Sequence, residues 1–479
     1  MKLSQIFEDT SFDVEIRGIS IDTRKVYHGD LFVCIEGLNV DGHDFAKEAV
    51  EKGAVAVLCK PSFKEELGVP KVYFDNTRYA LSQACNIFYN NPLKDIICIG
   101  VTGTNGKSST VYFLEEILKG LGKRVGAIGT MGARLDSMPL EIPFVTSTTP
   151  DTVELYRILS AMRDTRAQYV VMEVTSHALA LEKVSHINFD LGLFTNLSQD
   201  HLDFHGTMEN YLNAKAKLFD LSKVGIINAD DDTRGFLLNY AKCPMILYGT
   251  NQDSKYKAKN LQLKSDKVLY EVESIDISVP IPGKFTIYNT LCAYSALREL
   301  GFDAVDISNC LYTLEGVAGR IQKIEHNFGF NVIIDYAHTP DGLMNIIDSC
   351  REFTKGRIIT IFGCGGDRDP IKRPIMGEIA KRLSDYVIIT SDNPRNENPS
   401  EILDQIEKGM VNNNTIKQVM HTKIVDRKDA IYHAVNMAKA DDCIIIAGKG
   451  HEDYQEFENK RRIHFDDAAV AKEALKLKG

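Results

Sequence analysis

The sequence predicts an α/β protein of three domains whose sheets are largely parallel. The chain has 479 residues, and at roughly 150 residues per domain this length suggests about three domains. Short apolar segments alternate with amphipathic segments almost throughout, which is typical of strands and helices in α/β folds. Several apolar segments end in polar, Gly-rich loops, as in parallel sheets that bind ligands at the carboxyl ends of their strands.

The composition is that of an ordinary soluble protein, with 44% hydrophobic and 25% charged residues. A formal net charge of −10 argues against a nucleic-acid partner bound through a broad basic face, although a local basic cluster could hold a small anion. The ten cysteines are scattered without a C-x-x-C pair, so we expect free, buried thiols in a reducing cytosol. The N-terminus lacks an apolar signal core, and no segment approaches the ~18 apolar residues of a membrane span. We therefore expect a cytoplasmic protein.

The first block, residues 1–91, is predicted to be an N-terminal domain. It contains the strand "DLFVCI", the helix "DFAKEAVEKG", the strand "AVAVLC" and a helix from about Arg78 to Tyr89. "YNNPLKD" follows as a linker, because Asn-Asn-Pro favours a break in regular structure.

The second block, residues 92–317, opens with the strand "DIICIGVTG", a Gly-rich loop and the helix "SSTVYFLEEILKGLG". "QYVVMEV", "DLGLFTN" and "VGIINAD" are further strands. "AKNLQLKSDKVLYEVESIDISVP" alternates with period two, which predicts antiparallel edge strands.

The third block, residues 318–479, has four strands that each end in a polar, Gly-rich loop: "NVIIDYA", "RIITIFGCGG", "DYVIITSDN" and "CIIIAGKG". Helices follow several of them, which predicts a doubly wound domain with its ligand site at the carboxyl edge of the sheet.

The loop "GTNGKSS" resembles a phosphate-binding loop that is two residues short. The common P-loop has four residues between its first Gly and the Gly-Lys pair, whereas only Thr104 and Asn105 lie between Gly103 and Gly106. Backbone N–H groups at a helix start, the Lys107 ammonium and the Ser108 hydroxyl suit phosphates and Mg²⁺. The alternative is a Gly-rich turn with an exposed lysine.

Three downstream segments offer groups that could act with such a loop. Glu173 ends the apolar run "YVVME" and could bind Mg²⁺, or could be a strand-end carboxylate that faces water. His201 lies in "NLSQDHLDFHGT" with other His and Asp residues, which form either a metal-binding loop or a polar surface loop. Lys215 and Lys217 are two apart on a predicted helix, so they point to different faces and only one would enter a site.

In the third block, "FGCGGDRDPIKRP" is not a G-x-G-x-x-G fingerprint because Arg368 occupies the last Gly position. In "SDNPRNENPS", Pro394 stiffens a loop from which Arg395 projects, and an arginine held in this way suits bidentate recognition of a carboxylate. "AGKGHEDYQ" places Glu452 after a third strand, where it could bind a cation. Three such loops at one sheet edge predict a ligand-binding rim.

Together these motifs resemble the Mur ligases, the ATP-dependent peptide ligases that build the peptidoglycan precursor. The matching segments occur in the family order and cover essentially the whole chain; they are "TGTNGKSS", "MEVTSHAL", "NLSQDHLDFHGT", "NAKAKLF", "DYAHTPD", "FGCGGDRDPIKRP" and "DNPRNENP". The resemblance implies a UDP-binding N-terminal domain, a central ATPase domain and a C-terminal, amino-acid-binding Rossmann-like domain. It also implies the shorter G-x-x-G-K-[ST] loop.

The resemblance further implies ATP, Mg²⁺, UDP-N-acetylmuramoyl-L-alanyl-D-glutamate and meso-diaminopimelate as ligands. We expect a monomer, although the sequence does not show the oligomeric state. The implied catalytic group is Lys107, Glu173, His201 and Lys215, with Lys215 carbamylated; Ser108, Glu173, His201 and Lys215 are the implied metal group. The implied ATP residues are Gly103, Thr104, Asn105, Gly106, Lys107, Ser108, Ser109, Asn289, Arg320 and Asp335. The implied substrate residues are Ile21, Thr23, Leu38, Asn39 and Val40 for uridine, Ser147, Thr148, Thr149, Ser176 and Lys183 for the muramoyl dipeptide, and Arg368, Asp392, Asn393, Pro394, Arg395, Gly448 and Glu452 for diaminopimelate.

The chain departs from the family pattern near the muramoyl positions. Thr175 stands where Ser is frequent, Leu181 where some members have Gln, and Lys183 where Arg is usual. The rival interpretations are the same ligase with L-lysine as acceptor, a folylpolyglutamate synthase-like ligase, a P-loop switch or motor, and an inactive sugar-nucleotide binder. The absence of an N-K-x-D motif and of a basic track argues against a switch or motor. The intact Lys107, Glu173, His201 and Lys215 argue against an inactive binder.

Overall fold

The computed structural model of the chain describes residues 1–8, 10, 12–37, 40–142, 148–250, 253–264, 266–316, 319–411 and 419–478. The chain forms two compact units. The first comprises residues 1–103, 110–197 and 207–247, and the second comprises residues 104–109, 198–206 and 248–479. Three of the predicted site residues, Leu38, Asn39 and Ser147, lie outside the described residues.

The N-terminal part of the first unit is a four-stranded parallel sheet in the order β1-β2-β3-β4. Its strands are Gly18–Ser20 (β1), Asp30–Val33 (β2), Ala56–Cys59 (β3) and Lys71–Tyr73 (β4). Its helices are Leu3–Ile6 (α1), Ala46–Glu51 (α2) and Thr77–Phe88 (α3), with 3₁₀ turns at Thr23–Lys25 and Gly42–Phe45. Strands β2 and β3 are buried at every position, as expected for a parallel sheet covered on both faces.

A larger sheet forms the centre of the first unit, in the order β12-β11-β10-β5-β9-β6-β7-β8. Its strands are Ile97–Thr102 (β5), Val125–Gly129 (β6), Gly132–Leu135 (β7), Met138–Pro139 (β8), Tyr169–Glu173 (β9), Phe189–Phe194 (β10), Ser222–Asn228 (β11) and Met245–Gly249 (β12). The helices between these strands along the chain are Lys107–Gly120 (α4), Thr152–Asp164 (α5), Ser176–Ala180 (α6), Met208–Asp220 (α8) and Arg234–Tyr240 (α9), together with Leu202–His205 (α7), which belongs to the second unit. The pairs from β11 to β6 are parallel, and β7 and β8 are antiparallel additions. The predicted mostly parallel central sheet is confirmed.

The predicted antiparallel segment forms a sheet of its own in the second unit, rather than an edge of the central sheet. Its strands are Lys259–Leu263 (β14), Val268–Val272 (β15) and Ile275–Val279 (β16), preceded by Tyr256–Lys257 (β13), which pairs in parallel with the end of β12. Helices Lys284–Glu299 (α10) and Ala304–Tyr312 (α11) contact β15 and β16 respectively. The apolar positions of the alternating pattern therefore face a local helical layer.

The C-terminal part of the second unit is a six-stranded sheet in the order β17-β18-β22-β19-β20-β21. Its strands are Gln322–Lys323 (β17), Asn331–Asp335 (β18), Ile358–Phe362 (β19), Tyr386–Ile389 (β20), Met420–Lys423 (β21) and Cys443–Ala447 (β22), followed by a hairpin of Tyr454–Phe457 (β23) and Arg461–His464 (β24). Its helices are Pro340–Arg351 (α12), Lys372–Leu383 (α13), Pro399–Val411 (α14), Arg427–Met437 (α15) and Asp467–Lys478 (α16). Apolar cores lie on both faces, with Ile333 in one and Ile334 in the other, so the predicted doubly wound domain is confirmed.

All ten cysteines are free thiols, and eight of them are buried; Cys243 and Cys310 are partly exposed. Burial raises the pKa of both of these thiols, so they carry less thiolate at neutral pH than an exposed cysteine. Across the described residues, no helix has the length and apolar character that would let it cross a membrane.

Helices α15 and α16 are joined by a fully buried ion pair and, one residue further along α15, by an exposed one. Arg427 donates from Nε and Nη2 to Asp467 at 2.8 Å each, with neither side chain exposed. Lys428 pairs with Glu473 at 3.1 Å at the surface. Asp467→Asn should lower the free energy of unfolding by about 3–5 kcal/mol, because it removes the carboxylate that is hydrogen-bonded to a buried guanidinium. Glu473→Gln should leave it unchanged in urea denaturation, and equal losses in the two variants would contradict this account.

Candidate active site

The Gly-rich loop joins the carboxyl end of β5 to the start of α4. Gly103 has φ +146°, a conformation that favours glycine, and a Cβ added there would overlap the Thr195 hydroxyl. In the second unit, the Thr104 hydroxyl makes two hydrogen bonds with the Ser198 backbone. It accepts from the Ser198 N–H at 3.0 Å and donates to the Ser198 carbonyl at 3.2 Å. Lys107 donates to the Thr104 carbonyl at 2.9 Å, so its ammonium lies against the loop itself. The loop is therefore a braced structure, unlike a loose turn with a solvated lysine.

Substituting Gly103 should damage the loop directly. In Gly103→Ala, the added Cβ meets Thr195 and the backbone enters a strained conformation, so we expect ATP affinity to fall at least tenfold. Gly122→Ala is the matched control, since Gly122 also has positive φ (+72°) but has no atom within 4 Å of an added Cβ. It should retain the wild-type Kd for ATP in calorimetry. Equal affinities in both variants would show that the loop tolerates the overlap.

Glu173 ends β9 and is only 2% exposed, which contradicts the interpretation of a carboxylate that faces water. It pairs in register with Val101 of β5, two residues before the Gly-rich loop. Its carboxylate accepts from Thr130, at 2.8 Å from the backbone N–H and 3.3 Å from the hydroxyl. The strand order thus places an oriented carboxylate beside the strand that leads into the loop.

The predicted muramoyl positions gather around the same strand end. Thr149 donates to the Glu173 carbonyl at 3.0 Å and accepts from the Thr175 N–H at 3.1 Å. Ser176 begins α6 and is buried, and Thr148 lies 3.2 Å from the Thr130 hydroxyl. Lys183 pairs with Asp151 at 2.5 Å. Threonine hydroxyls therefore lie around the strand end at Glu173 within the first unit, while Lys183 is held by Asp151.

The structure distinguishes the two lysines of α8, which the sequence left open. Lys215 is 1% exposed and donates to the Gly103 carbonyl at 2.7 Å. The Lys217 side chain is 43% exposed and pairs with Glu182 at 3.4 Å. Only Lys215 reaches the Gly-rich loop.

His201 lies in the second unit with φ +54°, and its Nε2 is 3.4 Å from Asp200. The residues after it form α7, in which His205 is buried against Phe204. In the described residues, the one tight group of three potential metal ligands is Glu36, Asp41 and His43, near the uridine positions. There, His43 accepts from the Lys60 N–H and donates to Asp41, so its ring is fully used and offers no metal lone pair.

The predicted uridine positions that are described lie around β1 and β2. Ile21 follows β1, Thr23 begins a 3₁₀ turn capped by Asp22, and Val40 is exposed, with its carbonyl accepting from Gly37 at 2.8 Å. Hydrogen bonds from Arg24 lower the pKa of Asp22 to about 2, which keeps this cap charged across the physiological range.

Three predicted nucleotide residues, Asn289, Arg320 and Asp335, lie in the second unit. Asn289 is buried in α10, and a Cβ added at Gly106 would lie 2.5 Å from its amide oxygen. Asp335 accepts from two backbone N–H groups at the end of β18, and burial raises the pKa of its carboxyl. Arg320 stacks over the Tyr336 ring at 4.6 Å. Just before Arg320, Gly319 touches the backbone of Gly450 so closely that a Cβ would overlap it.

The predicted acceptor loops meet at the carboxyl ends of β19, β20 and β22, which lie together in the sheet. Gly366 donates to the Asn393 carbonyl at 2.9 Å, and Asn393 donates from Nδ2 to Glu452 at 2.9 Å. Pro394 precedes Arg395, whose Nη1 donates to the Gly366 carbonyl at 2.8 Å and whose Nε lies 3.3 Å from Glu456. Arg368 is exposed at the rim, and Gly448 adopts φ +118° close to Asp392.

Lys449 is a member of this cluster that the sequence interpretation missed. Its side chain is completely buried and contacts Asp392, Asn393 and Glu452. It stands in "AGKGHED" immediately after a buried strand, so a charged residue between two glycines was the available signal.

Comparison with known proteins gives three domain matches along the chain. Residues 15–89 match the Mur ligase family, catalytic domain; residues 101–297 match the Mur ligase middle domain; residues 319–450 match the Mur ligase, glutamate ligase domain.

Similar proteins extend over the full length. UDP-N-acetylmuramoyl-L-alanyl-D-glutamate–2,6-diaminopimelate ligase 2 of Clostridium acetobutylicum is 42% identical over 487 residues, which cover 99% of this chain and 100% of that protein. A solved structure of a ligase of the same name matches with a TM-score of 0.71 at 30% identity, covering 100% of this chain and 99% of the other. Folylpolyglutamate synthase of Mycobacterium tuberculosis matches with a TM-score of 0.63 at 16% identity over 77% of this chain and 92% of the other, which shows a common fold alone. The Clostridium acetobutylicum ligase matches over nearly the whole chain, and the three domain models match in order along it. The chain therefore belongs to the Mur ligase family.

Proposed function

We infer that the protein is an ADP-forming, ATP-dependent amide ligase of peptidoglycan precursor synthesis. It adds meso-diaminopimelate to UDP-N-acetylmuramoyl-L-alanyl-D-glutamate. The observation that carries this proposal is the 42% identity, over nearly the whole chain, with a ligase whose name states both substrates.

The reaction requires activation because a carboxylate is a poor electrophile. An oxygen of the D-glutamyl carboxylate attacks the γ-phosphorus of ATP, the bond to ADP breaks, and an acyl phosphate forms. The neutral amine of diaminopimelate then attacks the acyl carbon, phosphate leaves, and the nitrogen loses its proton to give the amide. Lys107 and the N–H groups of the loop stabilise the charge that develops on the transferred phosphoryl group.

Gly103 to Ser109 are proposed to hold the ATP phosphates, with Asn289, Arg320 and Asp335 as further nucleotide residues. The braced loop supports this assignment, since the Thr104–Ser198 hydrogen bonds fix its shape before any ligand arrives. Asn289 meets Gly106, and Arg320 and Asp335 lie beside one another around Tyr336.

We propose that Mg²⁺ is bound by Ser108, Glu173, His201 and Lys215. The ion would neutralise part of the phosphate charge. The buried, oriented carboxylate of Glu173 fits a hard cation. A protonated Lys215 does not fit, since an ammonium has no lone pair. Carbamylation, in which the neutral amine adds CO₂ and releases a proton, would convert Lys215 into an oxygen donor and remove this conflict.

The substrate assignments remain proposals of the same kind. The uridine end would bind at Ile21, Thr23 and residues 38–40, and the muramoyl dipeptide at residues 147–149, Ser176 and Lys183. Diaminopimelate would bind at Arg368, residues 392–395, Gly448 and Glu452, whose loops contact one another. We propose domains at 1–91, 92–317 and 318–479, in a monomer that works in the cytoplasm.

One assay tests the function. Phosphate release should require ATP, the UDP-muramoyl dipeptide and diaminopimelate together, and mass spectrometry should find the dipeptide heavier by one diaminopimelate residue. Equal turnover with L-lysine would replace the acceptor assignment. Turnover with a folate and glutamate, and none with the muramoyl substrate, would overturn the proposal.

A further inference from the structure

Lys449 is the buried cation at the centre of the acceptor loops. Its side chain has no exposed surface, and its ammonium lies 3.0 Å from Glu452 Oε2, 3.1 Å from Asn393 Oδ1 and 3.7 Å from Asp392 Oδ1. Its ring neighbour is Tyr454, at 5.5 Å from the ammonium. Burying a lysine is costly unless its charge is matched, and here two hydrogen bonds and a carboxylate 3.7 Å away stabilise the ammonium.

The contacts of Lys449 form a closed triangle with two proposed acceptor residues. Asn393 Oδ1 accepts from Lys449 and from the Glu456 N–H at 2.9 Å, so the amide orientation is fixed. Asn393 Nδ2 then donates to Glu452 Oε2 at 2.9 Å, and this is the oxygen that Lys449 also holds. Both bonds to Glu452 therefore converge on one oxygen, and within the described part of the chain Oε1 accepts no hydrogen bond.

Lys449 also stands between two carboxylates. Asp392 Oδ1 is buried and accepts no hydrogen bond from the described residues, and the Lys449 ammonium lies 3.7 Å from it. Without the Lys449 ammonium, less positive charge would lie between the carboxylates of Asp392 and Glu452, and their mutual repulsion would increase. Glu452 would then keep only the hydrogen bond from Asn393 Nδ2, so its second oxygen would be less firmly directed.

We propose that Lys449 is a positioning residue of the acceptor site, which aims Glu452 at the ammonium group of the incoming amino acid without touching that molecule. The inference rests on the proposed function, since it assigns a role within that acceptor site. It predicts a defect confined to one substrate, because the triangle is built from residues of the acceptor loops alone.

The test is a kinetic comparison of Lys449→Met with the wild-type enzyme. The KM for diaminopimelate should rise roughly 100-fold, as expected when one partner of a buried charge pair is removed. The KM values for ATP and for the UDP-muramoyl dipeptide should stay within about twofold, because neither site includes the triangle. Lys428→Met, which removes a surface lysine of the same domain that pairs with Glu473, is the control and should match the wild type for all three substrates.

The outcomes separate this inference from the proposed function. If the wild-type enzyme makes no product with diaminopimelate, the proposed function fails. If the wild type is active and Lys449→Met changes all three KM values alike, or only lowers the melting temperature, Lys449 is a structural ion-pair residue and the inference is wrong. Should the Met variant not fold, Lys449→Gln keeps a hydrogen-bond donor and allows the same three-substrate comparison.

Discussion

Lys215→Met should lower kcat for ligation by about a thousandfold, whereas Lys217→Met should leave it within about twofold. The buried Lys215 binds the Gly103 carbonyl at 2.7 Å, so its removal takes away both the brace of the phosphate loop and the proposed carbamate ligand. Lys217 is on the same helix and is half exposed, so it controls for the loss of a lysine from α8. Steady-state phosphate release at saturating substrates measures the effect.

A second measurement separates the brace from the carbamate. Enzyme incubated with ¹³C-bicarbonate should give a carbamate signal in ¹³C NMR that survives Lys217→Met and disappears in Lys215→Met. An inactive Lys215→Met variant, with no carbamate signal in the wild type, would leave Lys215 as a loop brace and remove it from the metal group. Full activity in Lys215→Met would remove it from the site altogether.

Arg395→Ala should lower kcat/KM for diaminopimelate by at least a hundredfold. Diaminopimelate differs from lysine by a distal carboxylate. A guanidinium that pairs with this carboxylate strongly favours the binding of diaminopimelate over lysine. In the structure, Arg395 is steadied by the Gly366 carbonyl and Glu456, while Nη2 makes no hydrogen bond within the described residues. The guanidinium is thus held in one orientation before the acceptor arrives.

The matched control is Arg462→Ala. Arg462 pairs with the same carboxylate, Glu456, at 3.0 Å, but its side chain is 58% exposed. This variant should keep wild-type kcat/KM, and the ratio of diaminopimelate to L-lysine turnover should fall only in Arg395→Ala. A preserved ratio in Arg395→Ala would show that another residue recognises the distal carboxylate.

Local patterns in the sequence were sufficient to predict the strands of the parallel sheets. A buried parallel strand is a continuous apolar run, and each run that was followed by a Gly-rich loop became a strand with that loop at its carboxyl end. The resemblance to Mur ligases rested on seven ordered motifs, and the full-length relatives confirm it. In contrast, period-two alternation identified three antiparallel strands but could not say that they form a separate sheet, because pairing partners lie outside the local pattern.

Side-chain burial was beyond the sequence. The spacing of Lys215 and Lys217 places them on different helix faces but does not reveal which face meets the Gly-rich loop, 112 residues away along the chain. Glu173 could not be told from a solvated carboxylate until its bonds to Thr130 were known. Lys449 escaped notice for the same reason, since Asn393, which binds it, is 56 residues distant.

The contact between Gly319 and Gly450 has a thermodynamic consequence. Arg320, a proposed nucleotide residue, follows one glycine, and Glu452, a proposed acceptor residue, lies two positions after the other. Because the Gly319 backbone cannot move towards Gly450 without displacing it, we expect a shift of Arg320 in that direction on binding ATP to reach the acceptor loop. By linkage, ATP must then change the affinity for the amino acid by the same factor as the amino acid changes the affinity for ATP.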